Sequence, residues 1–319
     1  MKCDIIMVTW NATKMTATAL SSIQANSNFP YRIILVDNSD TDEGRKYYKK
    51  ISESNEYGET VLIQNNQNIG WLKATNIGLT IADSEYVCLL NNDVICGPNW
   101  LKNCIYYLHN FQEVGLVNPR GNERSENNLA CNINIYANFL EIKNKHKFTE
   151  IPHCTGFCML AKKDLFKKIG LLDEIYSPGY YEDNDLSMRA RSIGLKCIQA
   201  DDSFVFHIGS QSFGKIPSKT KSKLIEKNKA IYETRYGIQK RKLLIIKNQE
   251  INTEEIIEEI RKNKIYLIKS GNIPEKILKF RHSNLILLEN KFKITYLSFL
   301  YYKYYLLHKK RISDAEILL

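Results

Sequence analysis

Three acids in four residues, Glu182-Asp183-Asn184-Asp185, follow a Pro178-Gly179-Tyr180-Tyr181 turn and lead into a helical stretch that carries Arg189 and Arg191. The positive end of a helix dipole favours acids in the first turn and keeps a carboxylate ionised, the state a general base needs. N-terminal capping and an i,i+4 pair between Asp185 and Arg189 account for Asp185 and leave Glu182 and Asp183 as proton acceptors. A further acid, Asp93, ends the polar run Asn91-Asn92-Asp93 behind the apolar segment Tyr86–Leu90. A carboxylate in that setting suits a hard divalent cation, Mg²⁺ or Mn²⁺, which takes oxygen ligands and bridges phosphate oxygens. His207 closes the short apolar run Val205-Phe206 and reads either as a satisfied structural imidazole or as a further ligand to the same ion.

These residues need a scaffold, and the first 120 positions supply one. Asp4–Val8, Arg32–Val36, Thr60–Ile63, Tyr86–Leu90 and Val114–Val117 read as buried strands. Amphipathic stretches near 13–25, 42–53 and 72–82, then Pro98–Phe111, alternate with them. Such alternation means βαβ units: an α/β fold with a Rossmann-like, mostly parallel central sheet and helices on both faces. Ligands of these sheets bind outside the carboxyl ends of the strands. Four consecutive strand ends carry short polar side chains: Thr9-Trp10-Asn11, Asp37-Asn38-Ser39-Asp40, Asn65 to Gly70, and Asn91-Asn92-Asp93. Turn chemistry explains some of these residues but not their presence on every strand of one rim, which points to a polar ligand. Neither G-x-G-x-x-G nor G-x-x-x-x-G-K-[ST] follows the first strand, which disfavours a dinucleotide dehydrogenase or a P-loop enzyme. A diphosphate on this rim would instead be neutralised by a cation at Asp93.

Composition narrows the class. The chain has 319 residues, 44% hydrophobic and 25% charged, with 15 Gly and 7 Pro, which excludes disordered, collagen-like and disulfide-dense chains. Met1 runs straight into Cys3-Asp4-Ile5-Ile6 without a signal-type segment, and no apolar run reaches the roughly 18–20 residues that span a bilayer. A cytoplasmic location is expected. Eight scattered cysteines contain no C-x-x-C pair, so even Cys154 and Cys158, four apart, read as reduced thiols used as small apolar side chains. The net charge of +10 is uneven: residues 1–214 hold 21 basic against 24 acidic groups, a net −3, while 215–319 hold 24 against 11, a net +13. Such a split marks a domain boundary and an anionic contact for the last third.

Taken in order, the segments resemble glycosyltransferase family 2 over roughly residues 3–236. The resemblance rests on Val8-Thr9-Trp10-Asn11, Leu35-Val36-Asp37-Asn38-Ser39, Asn68-Ile69-Gly70 with Asn76-Ile77-Gly78, and Leu89-Leu90-Asn91-Asn92-Asp93. Thr155-Gly156-Phe157, Tyr181-Glu182-Asp183-Asn184-Asp185-Leu186 with Arg189, and His207 complete it. It implies a GT-A fold and an inverting, metal-dependent transfer from a nucleotide sugar. It implies that Thr9, Asn11 and Asp37 line the nucleoside pocket, and that Asn68, Gly70, Asn76, Asn91, Asn92 and Gly156 border the donor. Asp93 would hold the divalent cation with His207, and Asp183 would be the catalytic base ahead of Glu182. Asn91 stands where the family's D-x-D motif starts with a carboxylate, which weakens the expected metal site. The Asn-x-Gly pair with Leu-Leu-Asn-Asn-Asp is similar to the branch that holds rhamnosyltransferases of surface polysaccharides, which suggests a UDP- or dTDP-linked donor and a glycan or lipid-linked acceptor.

The expected domains are 1–239, the transferase, and 240–319, a small basic α/β region. A basic helix is expected over 215–239, strands over Lys242–Ile246, Ile265–Ile268 and Leu285–Leu288, and helices over Thr253–Lys262 and Pro274–Phe280. An aromatic, lysine-flanked amphipathic helix at about Ile294–Lys310 ends the chain and suits an anionic membrane face or a homo-oligomer contact. The competing classes are a nucleotidyltransferase on a related sheet, disfavoured by the missing phosphate loop, and a non-catalytic basic module. No nucleic-acid-binding signature accompanies the charge, so a nucleic-acid partner is not expected.

Overall fold

A computed structural model describes residues 1–122, 132–209, 218–245, 252–269, 273–289 and 314–315. The chain divides into two units, Met1–Phe148 with His153–Arg235, and Thr149–Pro152 with Tyr236–Leu319.

In the first unit the apolar runs become β1 (Cys3–Thr9), β2 (Tyr31–Asp37), β3 (Thr60–Gln64), β4 (Tyr86–Leu90) and β6 (Val114–Arg120). Between them lie α1 (Thr13–Asn26), α2 (Asp42–Ser54), α3 (Trp71–Ile81), the short β5 (Val94–Cys96) and α4 (Trp100–Asn110). There follow α5 (Ile133–Asn144), β8 (Cys158–Lys162), α6 (Lys163–Ile169), α7 (Glu182–Ser192), β9 (Lys196–His207) and α8 (Ser218–Tyr236), while β7 (Phe148–Ile151) falls almost wholly in the Thr149–Pro152 segment of the second unit. The sheet order is β3-β2-β1-β4-β8-β6-β9-β5. β1 to β4 are parallel, β8 lies antiparallel between β4 and β6, and β5 lies antiparallel to β9. Strands buried on both faces read as continuous apolar runs, and Ile33, Ile34, Leu35 and Val36 are all fully buried.

Register sets the rim. Thr9 pairs with Asp37 and Asp37 with Gln64, so three polar side chains stand side by side at the strand ends. Gly78 serves packing: a Cβ there would meet Ile6 Cγ2 at 2.5 Å and Val36 Cγ2 at 3.4 Å, so α3 lies close on the sheet. Gly78→Ala is expected to cost about 1–3 kcal/mol of stability, read as a fall in the denaturant midpoint at unchanged slope.

Expectation and structure differ at β9. The sequence suggests a short strand at Val205–His207, whereas the strand starts at Lys196. Asp201, Asp202 and Ser203 hide its middle. All three are buried, and the bonds of two of them answer locally. Asp202 accepts from Tyr107 Oη and from the His146 backbone N–H, both at 2.8 Å, and Ser203 donates to the Trp100 carbonyl at 2.9 Å. Seven cysteines are free and buried, as expected of small apolar side chains, and Cys131 lies outside the described residues.

The second unit is a four-stranded parallel sheet of order β12-β11-β10-β13, with β10 (Arg241–Ile245), β11 (Lys264–Lys269), β12 (Leu285–Glu289) and β13 (Asp314–Ala315). Its helices are α9 (Thr253–Lys262), capped by Asn252, and α10 (Glu275–Lys279). Leu244, Ile256, Ile260, Ile265, Leu267 and Ile277 form its core. Glu150, from the short segment that joins this unit, is buried and accepts from Arg261 at 2.8 and 3.3 Å. The expected amphipathic helix at 294–310 lies outside the described residues.

Candidate functional site

At the first strand ends Asp37 is fully buried, and its carboxylate accepts from the Ser39 N–H at 2.8 Å, Gln64 Nε2 at 3.0 Å and Thr9 Oγ1 at 3.4 Å. Asn11 adopts a left-handed φ of 51°. Its N–H donates to Ser39 Oγ at 3.1 Å, its Oδ1 accepts from Thr41 Oγ1 at 2.8 Å, and its Nδ2 donates to Asp40. Arg45, on α2, donates to the carbonyls of Ser39 and Asn65 at 3.2 and 2.8 Å and so ties the β2 and β3 ends together. Asn38 links the same rim to the next loop, donating to the Gly70 carbonyl at 3.3 Å. Gly70 takes φ of 85° in open space, and its N–H donates to Asn68 Oδ1 at 2.9 Å. The loop thus turns tightly enough for α3 to start at Trp71.

Two expected donor contacts are engaged elsewhere. Asn76 Nδ2 donates to the Leu172 carbonyl at 2.9 Å and its Oδ1 accepts the Leu172 N–H at 3.1 Å. Asn92 is buried and donates to Thr16 Oγ1 at 3.0 Å, on α1. Asn76 holds backbone at Leu172, and Asn92 holds the Thr16 hydroxyl on α1.

Asp93 and His207 are 114 residues apart, and the antiparallel β5–β9 pairing, which sets Val94 opposite His207, brings them together. His207 Nε2 lies 3.1 Å from Asp93 Oδ1 and 3.4 Å from Asn91 Nδ2. Asn122 fixes the strand end on both sides, accepting the His207 N–H at 2.7 Å and donating to its carbonyl at 3.1 Å. The Phe157 ring stacks on the imidazole at 5.2 Å and 15°. One carboxylate oxygen and one imidazole nitrogen at this separation fit a divalent cation of the Mn²⁺ type, whose other positions phosphate and water oxygens would complete. Among the described residues no third His, Cys, Asp or Glu joins the pair.

The other end of the site is the start of α7. Tyr180 and Tyr181 precede it at φ of 73° and 77°, a strained pair for side-chain-bearing residues. Asn228, fully buried on α8, holds that loop by donating to the carbonyls of Tyr176, Gly179 and Tyr180 at 2.8, 2.9 and 3.1 Å. Asp185 pairs with Arg189 at 2.8 Å and with Arg235 at 3.1 Å, so it anchors the helix. Asp183 Oδ2 accepts the Gly156 N–H at 3.1 Å and Oδ1 accepts the Asn184 N–H at 2.8 Å. Glu182 is 7% exposed, and its Oε2 has no hydrogen-bond partner among the described residues.

That contrast separates the two acids. Burial, with the Asp183 charge beside it, pushes the Glu182 carboxyl up to about 8, and burial outweighs the helix-end field expected to keep it ionised. Burial raises Asp183 too, but His153 and two backbone N–H groups oppose the rise. Near neutral pH Glu182 keeps the proton. A carboxyl raised from 4.5 in the unfolded chain to about 8 in the folded one stabilises the fold below pH 4.5, and the contribution is lost as pH climbs from 4.5 to 8. Glu182→Gln removes this loss. In melting curves the variant is expected to gain on the parent between pH 5 and pH 8, by roughly 4 °C or more at pH 8. A gap that stays constant with pH would refute the protonated Glu182.

Gly156 and Phe157 span the two ends. The Gly156 N–H meets Asp183, the Phe157 carbonyl accepts the Asn91 N–H at 2.9 Å, and the Phe157 ring covers His207. A Cβ on Gly156 would sit 3.2 Å from Trp71 Cη2, so α3 closes over the same dipeptide. Gln64, Arg45, Asn122 and Asn228 are the functional supports that sequence reasoning missed. As single polar residues outside any motif, they carry no local signal.

The chain can now be set beside known proteins. An uncharacterized glycosyltransferase of Haemophilus influenzae is 26% identical over 105 residues, 33% of this chain and 32% of the relative. One of Nostoc sp. is 26% identical over 117 residues, 37% of this chain and 36% of the relative. The aligned part of the chain spans about a third of the length of these relatives. Among solved structures, the mannosyltransferase PcManGT of Pyrobaculum calidifontis, in complex with GDP-Man and Mn²⁺, superposes with a TM-score of 0.51 at 18% identity, over 65% of this chain and 56% of its own. GalNAc-T7 with UDP, GalNAc and Mn²⁺ gives 0.53 at 15% identity, over 65% and 43%. At these identities the likeness is one of fold, the GT-A fold. The profile of glycosyl transferase family 2 matches residues 4–170, just over half of the chain, which takes in the strand-end rim through Asp93 and Gly156. With that match, the chain belongs to glycosyltransferase family 2.

Proposed function

We propose that the protein moves a sugar, with inversion, from a UDP- or dTDP-linked donor to a hydroxyl of a glycan or lipid-linked acceptor in surface polysaccharide or glycoconjugate synthesis. The single observation that carries this reading is the Gly156-Phe157 dipeptide, bonded to the Asp183 carboxylate on one side and packed on the Asp93–His207 pair on the other. Inversion needs a base on one side of the sugar and charge stabilisation behind the leaving group on the other. Family membership, with GDP-Man bound to one fold relative and UDP to the other, supports a nucleotide-sugar donor.

Thr9, Asn11 and Asp37 receive the nucleoside in this reading, and Asn68, Gly70 and Asn91 border the diphosphate and sugar. Asp93 and His207 would hold a divalent cation, Mn²⁺ or Mg²⁺, which when bound offsets the negative charge gathering on the departing diphosphate. Asp183 takes the proton of the acceptor hydroxyl as its oxygen attacks the anomeric carbon. The new C–O bond forms, the bond to the diphosphate oxygen breaks, and the nucleoside diphosphate leaves. The Gly156 and Asn184 N–H groups favour the ionised form of Asp183 against its burial, and Glu182, protonated, adds no competing charge.

The test is a thermal-shift panel of UDP-, dTDP- and GDP-sugars with and without Mn²⁺. Stabilisation by one nucleotide, larger with metal, is the expected result. Silence towards every nucleotide would overturn the reading.

A further inference from the structure

Helix α5 is apolar on both sides. Its inner side packs Ala137 and Leu140 on Phe204, with Ile133, Tyr136 and Phe206 around them. Its outer side carries Ile135, Phe139 and Ile142 at i, i+4 and i+7, which are 66%, 52% and 82% exposed. The other large exposed apolar side chains among the described residues are scattered singly over the chain. A contiguous exposed apolar stripe marks a contact surface.

Charge says what the contact is. Lys143, Lys145 and Lys147, all exposed, cluster at the carboxyl end of the stripe, and Lys143 Nζ sits 5.3 Å over the Phe139 ring. The nearest acid on the helix, Glu141, accepts from Asn99 Nδ2 at 2.9 Å. The stretch 1–214 as a whole has a net charge of −3. An apolar stripe beside lysines is the pattern of a helix lying in a bilayer interface, its apolar side chains among the acyl chains and its ammonium groups at lipid phosphates.

We propose that the outer face of α5 docks the protein on an anionic phospholipid surface, with Ile135, Phe139 and Ile142 entering the headgroup boundary and Lys143, Lys145 and Lys147 meeting phosphate. The helix runs antiparallel to β9. Asn144, at its end, donates to the Asp201 carbonyl at 3.2 Å, while Ile133, at its start, packs by Phe206, next to His207. Docking on this face sets the Asp93–His207 end of the site beside the surface. The inference goes beyond the transfer reading and stands without it.

The experiment is co-sedimentation of the full chain with vesicles of phosphatidylglycerol and phosphatidylcholine, or of phosphatidylcholine alone, at rising salt. The expected result is binding to the anionic vesicles that weakens with salt. Ile135→Ser/Phe139→Ser/Ile142→Ser and Lys143→Glu/Lys145→Glu/Lys147→Glu should each lower it about tenfold or more, with melting temperatures at the parent's level. Equal binding of parent and variants would overturn the proposal, because the basic last third would then be the anchor. Equal binding to neutral vesicles would overturn it as well. So would an oligomer, seen by light scattering, that the serine variant dissociates, because the stripe would then be an interface between copies. Neither sugar transfer nor nucleotide binding is read, so failure here leaves the transfer reading intact.

Discussion

Asp183→Asn is expected to lower nucleoside diphosphate release from the cognate donor by about 10²–10⁴-fold, the usual contribution of a positioned general base. Nucleotide-induced stabilisation should stay at the parent's level. The acceptor hydroxyl is a weak acid, so its attack needs a carboxylate in place, and both Asp183 oxygens accept backbone N–H bonds. The amide of Asn keeps the shape but not the basicity. One of its ends, the NH₂, would face an N–H donor at Gly156 or Asn184, so some local shift is expected, and melting temperature and nucleotide binding serve as the controls. The prediction separates two readings of the acidic run. If Glu182 were the base, Glu182→Gln would cause the larger loss and Asp183→Asn the smaller. With Glu182 protonated near neutral pH and its Oε2 without a partner, the opposite ranking is expected. Turnover of Asp183→Asn within tenfold of the parent would remove Asp183 from the mechanism.

Much of the architecture is legible because a parallel sheet writes itself in apolar runs. Ile33 to Val36 cannot be amphipathic, and the polar residues that end each run sit where the chain leaves the sheet. The same logic works in the second unit, where a helix is expected over Thr253–Lys262 and found with those bounds. It fails where a strand carries buried polar residues, as at Asp201 to Ser203, and where a strand is only three residues long, as at β5. Those failures fall at the site: β5 and β9 are the pair that joins Asp93 to His207, and no local pattern announces a contact across 114 residues. Asn76 and Asn92 show the converse. As polar residues near a rim they look like ligand contacts, yet their amides answer backbone and side-chain groups inside the fold. Glu182 makes the point for charge, since its place in a first helical turn argues for ionisation and its burial argues more strongly against it.

Asp93→Ala is expected to abolish the part of nucleotide stabilisation that depends on Mn²⁺ and to cut transfer by about 10³-fold, several kcal/mol of transition-state stabilisation being what such an ion supplies. Asp93 is the one carboxylate of the pair, and its neighbour Asn91 is an amide, so no second acid takes over the charge when Asp93 is lost. His207→Ala should weaken metal-dependent stabilisation less, because the carboxylate remains, and it also removes the ring on which Phe157 stacks. The effects of the two substitutions should therefore combine less than additively, since both act on one ion. The comparison also measures the departure at Asn91. Asn91→Asp adds a carboxylate about where the amide now approaches His207 Nε2 at 3.4 Å, and it should lower the Mn²⁺ concentration needed for half-maximal stabilisation. If Asp93→Ala left both the metal response and turnover unchanged, the diphosphate would have to be neutralised by other groups. Asp93 and His207 would then be a structural pair that closes β5 onto β9.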